Sequence, residues 1–378
     1  MDTKSIFRHA EKKEGWIRDT LRTLVQQESP SEDRQAVNAA MALAEGWARE
    51  QGARIKRHRQ SEFGDVLELR FGPARSPRKP VLLLGHFDTV WPKGTLAKMP
   101  WREADGRYWG PGVLDMKAGV VMALAALNIL RYMKLARPAT LLLNSDEEVG
   151  SPVSRAITER LALESAAVLV LEPAQGLAYK TARKGVGQYN VQVTGVGAHS
   201  GVDFERGHSA VLELAKLIQT ISDFTNLTRK LTVNCGVIAG GTRSNVVASE
   251  AHAEVDVRIA KASDTAYVEK LFRGLKVSDP KCKLTITGGI NRPPMERKAG
   301  TIALFKKARS MAAELGFVLE EAATGGGSDG NFTSALGIPT LDGMGAVGEG
   351  AHAAHESVVI EHLVPRTALL AAMIASVE

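Results

Sequence analysis

Residues 81–88, VLLLGHFD, consist of a continuous apolar run that ends in a histidine and an aspartate. Such a run is typical of a strand covered on both faces, as in the parallel sheet of an α/β protein. Side chains in a strand repeat every two residues, so His86 and Asp88 point to the same side. A carboxylate there can orient a metal-bound histidine through its second ring nitrogen. Taken alone, this pair is equally compatible with a purely structural contact.

Two further apolar runs, residues 139–144 (ATLLLN) and 167–171 (AVLVL), predict buried strands of the same sheet. An Ala- and Leu-rich helix is predicted between the first two runs, over Met116 to Met133. The alternation of strand, helix and buried strand indicates an α/β fold with helices on both faces of the sheet. Polar segments follow the later runs as well, NSDEEVG at 144–150 and LEP at 171–173.

The pattern changes near residue 184, where strictly alternating strands and two amphipathic helices follow one another to about residue 292. Their order, β-α-β-β-α-β, is that of a split βαβ, ferredoxin-like α+β domain. The α/β pattern returns after Arg292. We therefore predict a mixed-sheet α/β/α domain formed by residues 1–183 and 293–378, with a smaller domain inserted at 184–292.

The composition of the 378 residues excludes several classes of protein. A net charge of +6 and 5% aromatic residues provide neither the basic stripe nor the stacking rings of a nucleic-acid-binding protein. No apolar run approaches the ~20 residues that span a bilayer, so no membrane association is expected. The N-terminus lacks a secretory signal, which predicts a cytoplasmic protein, or a periplasmic one if a leader was removed. Two cysteines are expected to be free thiols.

Single carboxylates at the strand ends have ordinary explanations when each is taken alone. Asp115 lies in the glycine-rich turn GPGVLDMKAG at 110–119, where an aspartate commonly caps the following helix. Glu147 and Glu148 belong to three consecutive acidic residues, which could form a solvated turn. Glu172 and His352 would be unremarkable singly.

Together these residues predict a metal site, because ligands at the carboxyl ends of neighbouring strands in an open α/β sheet meet in one crevice. Nitrogen and oxygen ligands suit zinc, and manganese or cobalt less specifically. Two histidines can serve two ions if one carboxylate is shared. We predict that His86 and Glu172 hold one ion, that Glu148 and His352 hold the other, and that Asp115 bridges them.

Five segments occur in the chain in the order LLLGHFDTV, GPGVLDMKAG, NSDEEVGS, LEP and GAHAAHE. In sequence and order they resemble the metallopeptidase family that includes bacterial glutamate carboxypeptidase, aminoacylase, acetylornithine deacetylase and succinyl-diaminopimelate desuccinylase. The resemblance implies the same metal ligands, with Asp88 orienting His86 and Glu147 acting as the general base. It also implies a cis peptide bond between Asp115 and Met116. The segments TVWPKGTLAKMPW and TGGGSDGNF are most similar to the glutamate carboxypeptidase branch.

The same resemblance makes residues 184–292 a lid and homodimerisation domain. It implies that His199 polarises the scissile carbonyl in the partner's active site, and that Asn245, Arg258 and Arg292 hold the substrate. Gly326 lies in a glycine turn where backbone can approach a ligand. His355 is a competing metal ligand by spacing, and the role of His208 stays open.

The function expected from this resemblance is cleavage of an amide bond next to a free carboxylate. The substrate would be a small peptide or an N-acyl amino acid, and glutamate carboxypeptidase-like exopeptidase activity is the first expectation. An N-acyl-amino-acid deacylase is the alternative within enzymes. A non-catalytic carboxylate-binding dimer is the alternative from another class.

Overall fold

A computed structural model describes residues 2–377, which divide into two compact units. Unit 1 comprises residues up to Ala182, Arg297–Ala323 and Ser328 onward, and unit 2 comprises Arg183–Glu296 and Thr324–Gly327. The predicted insertion covered residues 184–292. The short segment Thr324–Gly327 was not anticipated, because its glycines give no periodic signal that would assign it to either unit.

Ten α-helices lie in the described part of the chain: α1 Thr3–Glu11, α2 Glu14–Gln26, α3 Arg34–Glu50, α4 Ala118–Tyr132, α5 Arg155–Glu164, α6 Ala210–Ser222, α7 Thr265–Arg273, α8 Ala299–Glu314, α9 Gly330–Ala335 and α10 Leu363–Ser376. Apolar residues recur at helical spacing from Ile6 to Gln27, which by itself predicts one helix. The structure has two, α1 and α2, with a break at Lys12 and Lys13. Helix α3 begins where the Asp33 side chain accepts hydrogen bonds from two backbone N–H groups.

The strands, numbered in chain order over the same residues, are β1 Arg54–His58, β2 Val66–Phe71, β3 Val81–His86, β4 Arg102–Ala104, β5 Arg107–Trp109, β6 Ala139–Asn144, β7 Ala167–Val170, β8 Ala178–Arg183, β9 Gly185–Thr194, β10 Ala198–His199, β11 Thr232–Gly240, β12 Val246–Val247, β13 Glu250–Ile259, β14 Lys283–Arg292, β15 Glu320–Thr324, β16 Thr340–Leu341, β17 Gly348–Glu349 and β18 Ser357–Val359.

The main sheet of unit 1 is mixed, in the order β1-β2-β6-β3-β7-β16. Strands β6, β3, β7 and β16 are parallel, whereas β1 and β2 pair antiparallel at one edge. All residues of β3 and β6 are buried, because helices cover both faces of a parallel sheet. The predicted α/β class with a mixed sheet is confirmed, and the carboxyl ends of β3, β6 and β7 lie side by side.

Helix α4 lies in the core of unit 1. Together with the preceding turn it forms a segment, Val113–Tyr132, that is long and apolar enough to span a membrane, and 89% of its most apolar window is buried inside the protein. The sequence-based statement that no apolar run approaches this length was therefore wrong. Asp115 and Lys117 interrupt the apolar run in the sequence. They lie in the turn at the start of this segment, so the helix that follows them is apolar.

Unit 2 contains a four-stranded antiparallel sheet in the order β11-β13-β9-β14. Along the chain its elements follow as β9-α6-β11-β13-α7-β14, which is the predicted split βαβ order. Strand β9 alternates buried and exposed residues, and its buried face contributes Tyr189, Val191 and Val193 to a separate core. The Tyr189 ring stacks on Phe272 from α7 at a centroid distance of 3.7 Å. Both cysteines are free.

Candidate metal centre

His86 ends strand β3 and is buried, with an exposed fraction of 1%. Its Nδ1 lies 3.0 Å from the main-chain carbonyl oxygen of Asp88 and 3.4 Å from that residue's carboxylate. Both neighbours are acceptors, so Nδ1 carries the hydrogen and Nε2 faces the other carboxylates of the site. Asp88 thus lies where the sequence predicted an orienting group, although its carbonyl is the nearer partner.

The Asp88 carboxylate also holds the turn that carries the two glutamates. It accepts hydrogen bonds from the backbone N–H groups of Glu147 and Glu148, at 3.1 and 3.0 Å, and from the Ser31 hydroxyl at 2.8 Å. One buried carboxylate therefore fixes the position of the segment after β6 relative to the end of β3. Ser31 was missed by sequence reasoning, because nothing in its local sequence distinguishes it from a helix-capping residue.

The Asp115 carboxylate lies between the two histidines. Its Oδ1 is 3.4 Å from His86 Nε2, and its Oδ2 is 3.4 Å from His352 Nε2. Glu172 lies on the His86 side, 3.6 Å from Nε2, and Glu148 lies on the His352 side, 3.3 Å from Nε2. The structure thus brings together all five residues predicted as ligands, in the two groups that a shared aspartate requires.

Divalent ions fit the chemistry of these donors. Ligand atoms of His86, Asp115 and Glu148 lie within 4.8 Å of one another, as do those of His86, Glu147 and Glu172. Among the described residues, neither His86 Nε2 nor Asp115 Oδ1 has a hydrogen-bond partner, although both atoms are buried. Buried polar atoms without partners are costly unless something binds them. Nitrogen and carboxylate oxygen ligands of this kind suit zinc and manganese.

The histidines and carboxylates also shift one another's pKa values. Hydrogen bonds to Asp115 and Glu148 raise the pKa of His352 to about 10, although its partial burial opposes the shift. Burial alone would lower the pKa of His86, but Asp115, Asp88 and Glu172 raise it well above its usual range. Burial would raise the pKa of Asp115, whereas the neighbouring rings of His352 and His86 hold it well below its usual range. Without metal, protonated histidines therefore supply the positive charge that the carboxylates require.

Glu356 is a buried carboxylate that connects three of the ligand-bearing segments. It accepts hydrogen bonds from the backbone N–H groups of Gly112 and Leu114, both at 2.8 Å, and of Asp115 at 3.1 Å. It also accepts one from the Trp91 indole at 2.7 Å. Burial raises its pKa despite these bonds. Sequence reasoning gave Glu356 no role, because the spacing from His352 does not show that the side chain turns inward to the Asp115 loop.

The loop after β17 carries both histidines that the spacing allowed as ligands. His352, in a left-handed backbone conformation with φ of 62°, reaches Asp115 and Glu148. The His355 ring lies instead beside Gly350. The arrangement therefore favours His352 over His355 as the ligand.

The predicted catalytic residue His199 and the predicted substrate-binding residue Asn245 lie next to each other in unit 2. His199 ends β10, opposite Val246 of β12, and the backbone N–H of the following Ser200 donates to the Asn245 carbonyl at 3.0 Å. The N–H of Gly201 donates to His199 Nδ1 at 3.1 Å. His199 is exposed in the single chain.

Arg258 and Arg292 lie on either side of Val186, their common register partner on β9. Residues directly opposite one another across a sheet point to the same face, so the two arginines lie on the same face of the sheet. Arg258 is paired with the Asp256 carboxylate, at 2.8 Å, and donates to the Gly325 carbonyl at 3.4 Å. The Arg292 side chain packs closely against Gly327, since it would lie 3.1 Å from a Cβ atom placed on that glycine. The predicted glycine turn around Gly326 therefore lies beside the arginine pair.

His208, whose role the sequence left open, is held by a hydrogen bond to a carboxylate. Its Nδ1 lies 2.7 Å from the Asp279 carboxylate. The His208 backbone also exchanges hydrogen bonds with Val196, which joins the start of helix α6 to the loop leading to His199.

Comparison with known proteins decides the family. The model of peptidase family M20/M25/M40 matches residues 82–376 of the chain. The chain belongs to this family. The matched residues include all five predicted ligands, Glu147 and the whole of unit 2. The recognition of a metallopeptidase and aminoacylase family from the sequence is thereby confirmed.

Individual relatives agree with the family assignment. The chain is 28% identical to carboxypeptidase G2 of Pseudomonas sp. (strain RS-16), over 97% of this chain and 90% of that protein. Its fold is similar to a tripeptidase of Staphylococcus aureus, with a TM-score of 0.82 and 21% identity over 96% of this chain and 98% of that one. It is also similar to the M20 family metallo-carboxypeptidase Sso-CP2 of Sulfolobus solfataricus, with a TM-score of 0.75 and 16% identity over 95% and 98% of the two chains.

The protein is therefore a hydrolase of the M20 family with peptidase-like chemistry, and members of this family typically depend on two metal ions. The donor set described above is a possible site for such ions. The peptide bond between Asp115 and Met116 is cis, as the resemblance implied. The expectation of a non-catalytic carboxylate-binding protein is not supported, because the family is one of peptidases.

Proposed function

We propose that this protein is a metal-dependent exopeptidase of the carboxypeptidase type, which cleaves the amide bond next to a C-terminal acidic residue. The observation that carries the proposal is the shared position of Asp115 between His86 and His352, with Glu147 and Glu148 on the adjoining turn. Similarity to carboxypeptidase G2 over nearly the whole chain supports a carboxypeptidase over other M20 activities.

The metal-binding role is assigned to the residues that the geometry groups together. His86 and Glu172 would hold one ion, Glu148 and His352 the other, and Asp115 both. Two divalent ions, when bound, would lower the pKa of a water molecule and polarise the scissile carbonyl. Zinc is the first candidate, with manganese or cobalt as alternatives.

Glu147 is the proposed general base. It lies on the turn fixed by Asp88, beside Glu148, and one of its oxygens approaches both His86 and Glu172 within 4.8 Å. From this position it would accept a proton from the attacking water and later deliver that proton to the leaving nitrogen. His199, supplied by a partner chain in a homodimer, would donate a hydrogen bond to the developing oxyanion.

The arginine pair of unit 2 is the proposed recognition site for the substrate carboxylate. Arg292 is buried and Arg258 is half-buried, and both lie on one face beside the glycine turn. A guanidinium group can donate two parallel hydrogen bonds to a carboxylate. We assign carboxylate binding to Arg292 and Arg258 together, with Asn245 as a further contact.

A substrate screen tests this proposal. The protein, loaded in turn with zinc, manganese or cobalt, is assayed on peptidyl-glutamates, on folyl-glutamate, on the same peptides with C-terminal amides, and on N-acetyl amino acids. We expect peptidyl- or folyl-glutamate to be cleaved at least tenfold faster than the amidated peptides. Faster release from N-acetyl amino acids would instead identify a deacylase, and equal rates on free and amidated peptides would contradict carboxylate recognition.

The role of Glu147 is tested separately. Glu147→Ala should lower kcat by about 10²–10⁴-fold, the usual contribution of a general acid–base group, while two metal ions per chain are retained. Glu62→Ala, at an exposed position, serves as the control. Loss of one ion from Glu147→Ala would show that Glu147 is a ligand rather than a base. The homodimer and the cytoplasmic location stay predictions.

A further inference from the structure

A cavity lies in unit 1 at the end of the sheet opposite the metal centre. Its volume is about 350 Å³, and Arg137, just before β6, and Phe71, at the end of β2, are among its lining residues. The ligands His86 and Glu147 follow the carboxyl ends of β3 and β6, whereas this cavity adjoins the amino ends of the same strands. Six-residue strands place the two sites roughly 15–20 Å apart. The cavity is therefore not part of the metal centre.

Arg137 is a buried cation without a counter-charge. Its side chain belongs to a residue only 5% exposed, and Nη2 donates to the Lys79 carbonyl at 2.7 Å. Its Nε and Nη1 have no partner among residues 2–377, and the same is true of Gln51 Oε1 on the same cavity. Burial lowers the pKa of Arg137, and Arg78 lowers it further. Buried charges are normally paired, because their desolvation is costly.

The surroundings of Arg137 are basic. Arg131 lines the same cavity, and Arg54 and Arg78 line a neighbouring one of about 160 Å³, with no aspartate or glutamate in either lining. Arg131 and Arg54 donate to the backbone carbonyls of Glu50 and Gly72, at 3.1 and 3.2 Å. None of these arginines belongs to an ion pair within the described part of the chain. Arg54 and Arg78 belong to two short basic segments of the sequence, RIKRHR at 54–59 and RSPRK at 75–79.

The remaining wall of the cavity is apolar. Leu127 and Leu130 from α4, Ile374 from α10 and Phe71 from β2 line it. A site with one buried guanidinium group and several aliphatic side chains suits a ligand with one charged end and a hydrocarbon body.

We propose that this cavity binds a small organic anion. A carboxylate or phosphate-ester group accepts hydrogen bonds from Arg137, with Arg131 adding charge at the opening, and the apolar part of the ligand packs against Leu130 and Ile374. The two-oxygen edge of either group matches the fork of a guanidinium. The ligand supplies the negative charge that the chain itself does not place beside Arg137.

Titration of the metal-loaded protein with hexanoate, hexyl phosphate and hexan-1-ol tests the proposal by calorimetry. At least one of the two anions should bind saturably, and their relative affinity distinguishes a carboxylate from a phosphate-ester ligand. Hexan-1-ol, which has the hydrocarbon body without the charge, should not bind measurably. Absence of saturable binding by both anions overturns the proposal.

Variants separate this cavity from the metal centre, which could also attract anions. Arg137→Met should weaken anion binding at least tenfold and leave hydrolytic activity unchanged. Arg22→Met makes the same change of charge at an exposed position of α2 and should leave binding unchanged. If Arg137→Met does not fold, Arg131→Met is the substitute, with an expected loss of at least threefold. Wild-type anion affinity in the variant tested overturns the proposal.

Discussion

Replacing Glu356 by glutamine should weaken metal binding although Glu356 is not itself a predicted ligand. One carboxylate oxygen accepts from Gly112 N and Trp91 Nε1, and the other accepts from Leu114 N and Asp115 N. An amide retains only one acceptor oxygen, so its NH₂ group would face two N–H donors that have lost their acceptor. The turn that presents Asp115 to both histidines must then shift or leave these donors unpaired.

The size of the effect follows from those contacts. A hydrogen bond to a charged group contributes about 1.5–3 kcal/mol, so the two lost bonds correspond to a few kcal/mol before the loop relaxes. Partners that position metal ligands typically change metal affinity by about 10–100-fold when removed. We expect Glu356→Gln to fall within that range, which corresponds to about 1.4–2.8 kcal/mol.

The assay is a competition titration of zinc against a chelator, with the metal content of each variant measured independently. Glu349→Gln is the matched control, since Glu349 lies in the same loop but is exposed and pairs only with Arg107, at 3.2 Å, among its described contacts. The control should bind metal like the wild type. If Glu356→Gln binds two ions with wild-type affinity, Glu356 does not position Asp115 and the reasoning fails.

Three further predictions rest on other parts of the structure. Metal affinity should rise with pH up to about 10, because an ion must displace a proton from His352, whose pKa Asp115 and Glu148 raise to about 10. Calorimetry in buffers of different ionisation enthalpy should detect release of that proton, and a pH-independent affinity would contradict this. Arg292→Met should raise KM for a glutamate-terminated peptide at least tenfold with little change for its amide, and an equal rise for both peptides would contradict carboxylate recognition by Arg292. Glu213→Gln should lower the urea midpoint at pH 7, because, despite burial, hydrogen bonds from Lys216 and Ser278 lower the pKa of Glu213 to about 2. This shift stabilises the folded protein by about 3 kcal/mol above pH 4.5, and the stabilisation is lost as pH falls through about 2. The stabilities of the variant and the wild type should therefore converge in acid.

Much of the fold was predictable from periodicity alone. The apolar runs at 81–85, 139–144 and 167–171 became adjacent strands of the main sheet, and the alternating segments after residue 184 became an antiparallel sheet. The break between α1 and α2 was not predictable, because apolar spacing continues across it. The burial of Val113–Tyr132 was equally hidden, since composition does not show which long apolar helix is enclosed.

Sequence patterns alone indicated that histidine and glutamate side chains follow β3, β6 and β7 at one edge of the sheet, because parallel strands bring their carboxyl ends to the same edge. Which atoms meet depends on the folded chain: the two Asp115 oxygens face different histidines, the Asp88 carbonyl is the closer partner of His86, and Glu356 turns inward to the Asp115 loop. Arg137 became notable only through its burial. Such contacts join residues far apart in the chain, and their geometry depends on side-chain direction and packing, neither of which local sequence patterns encode.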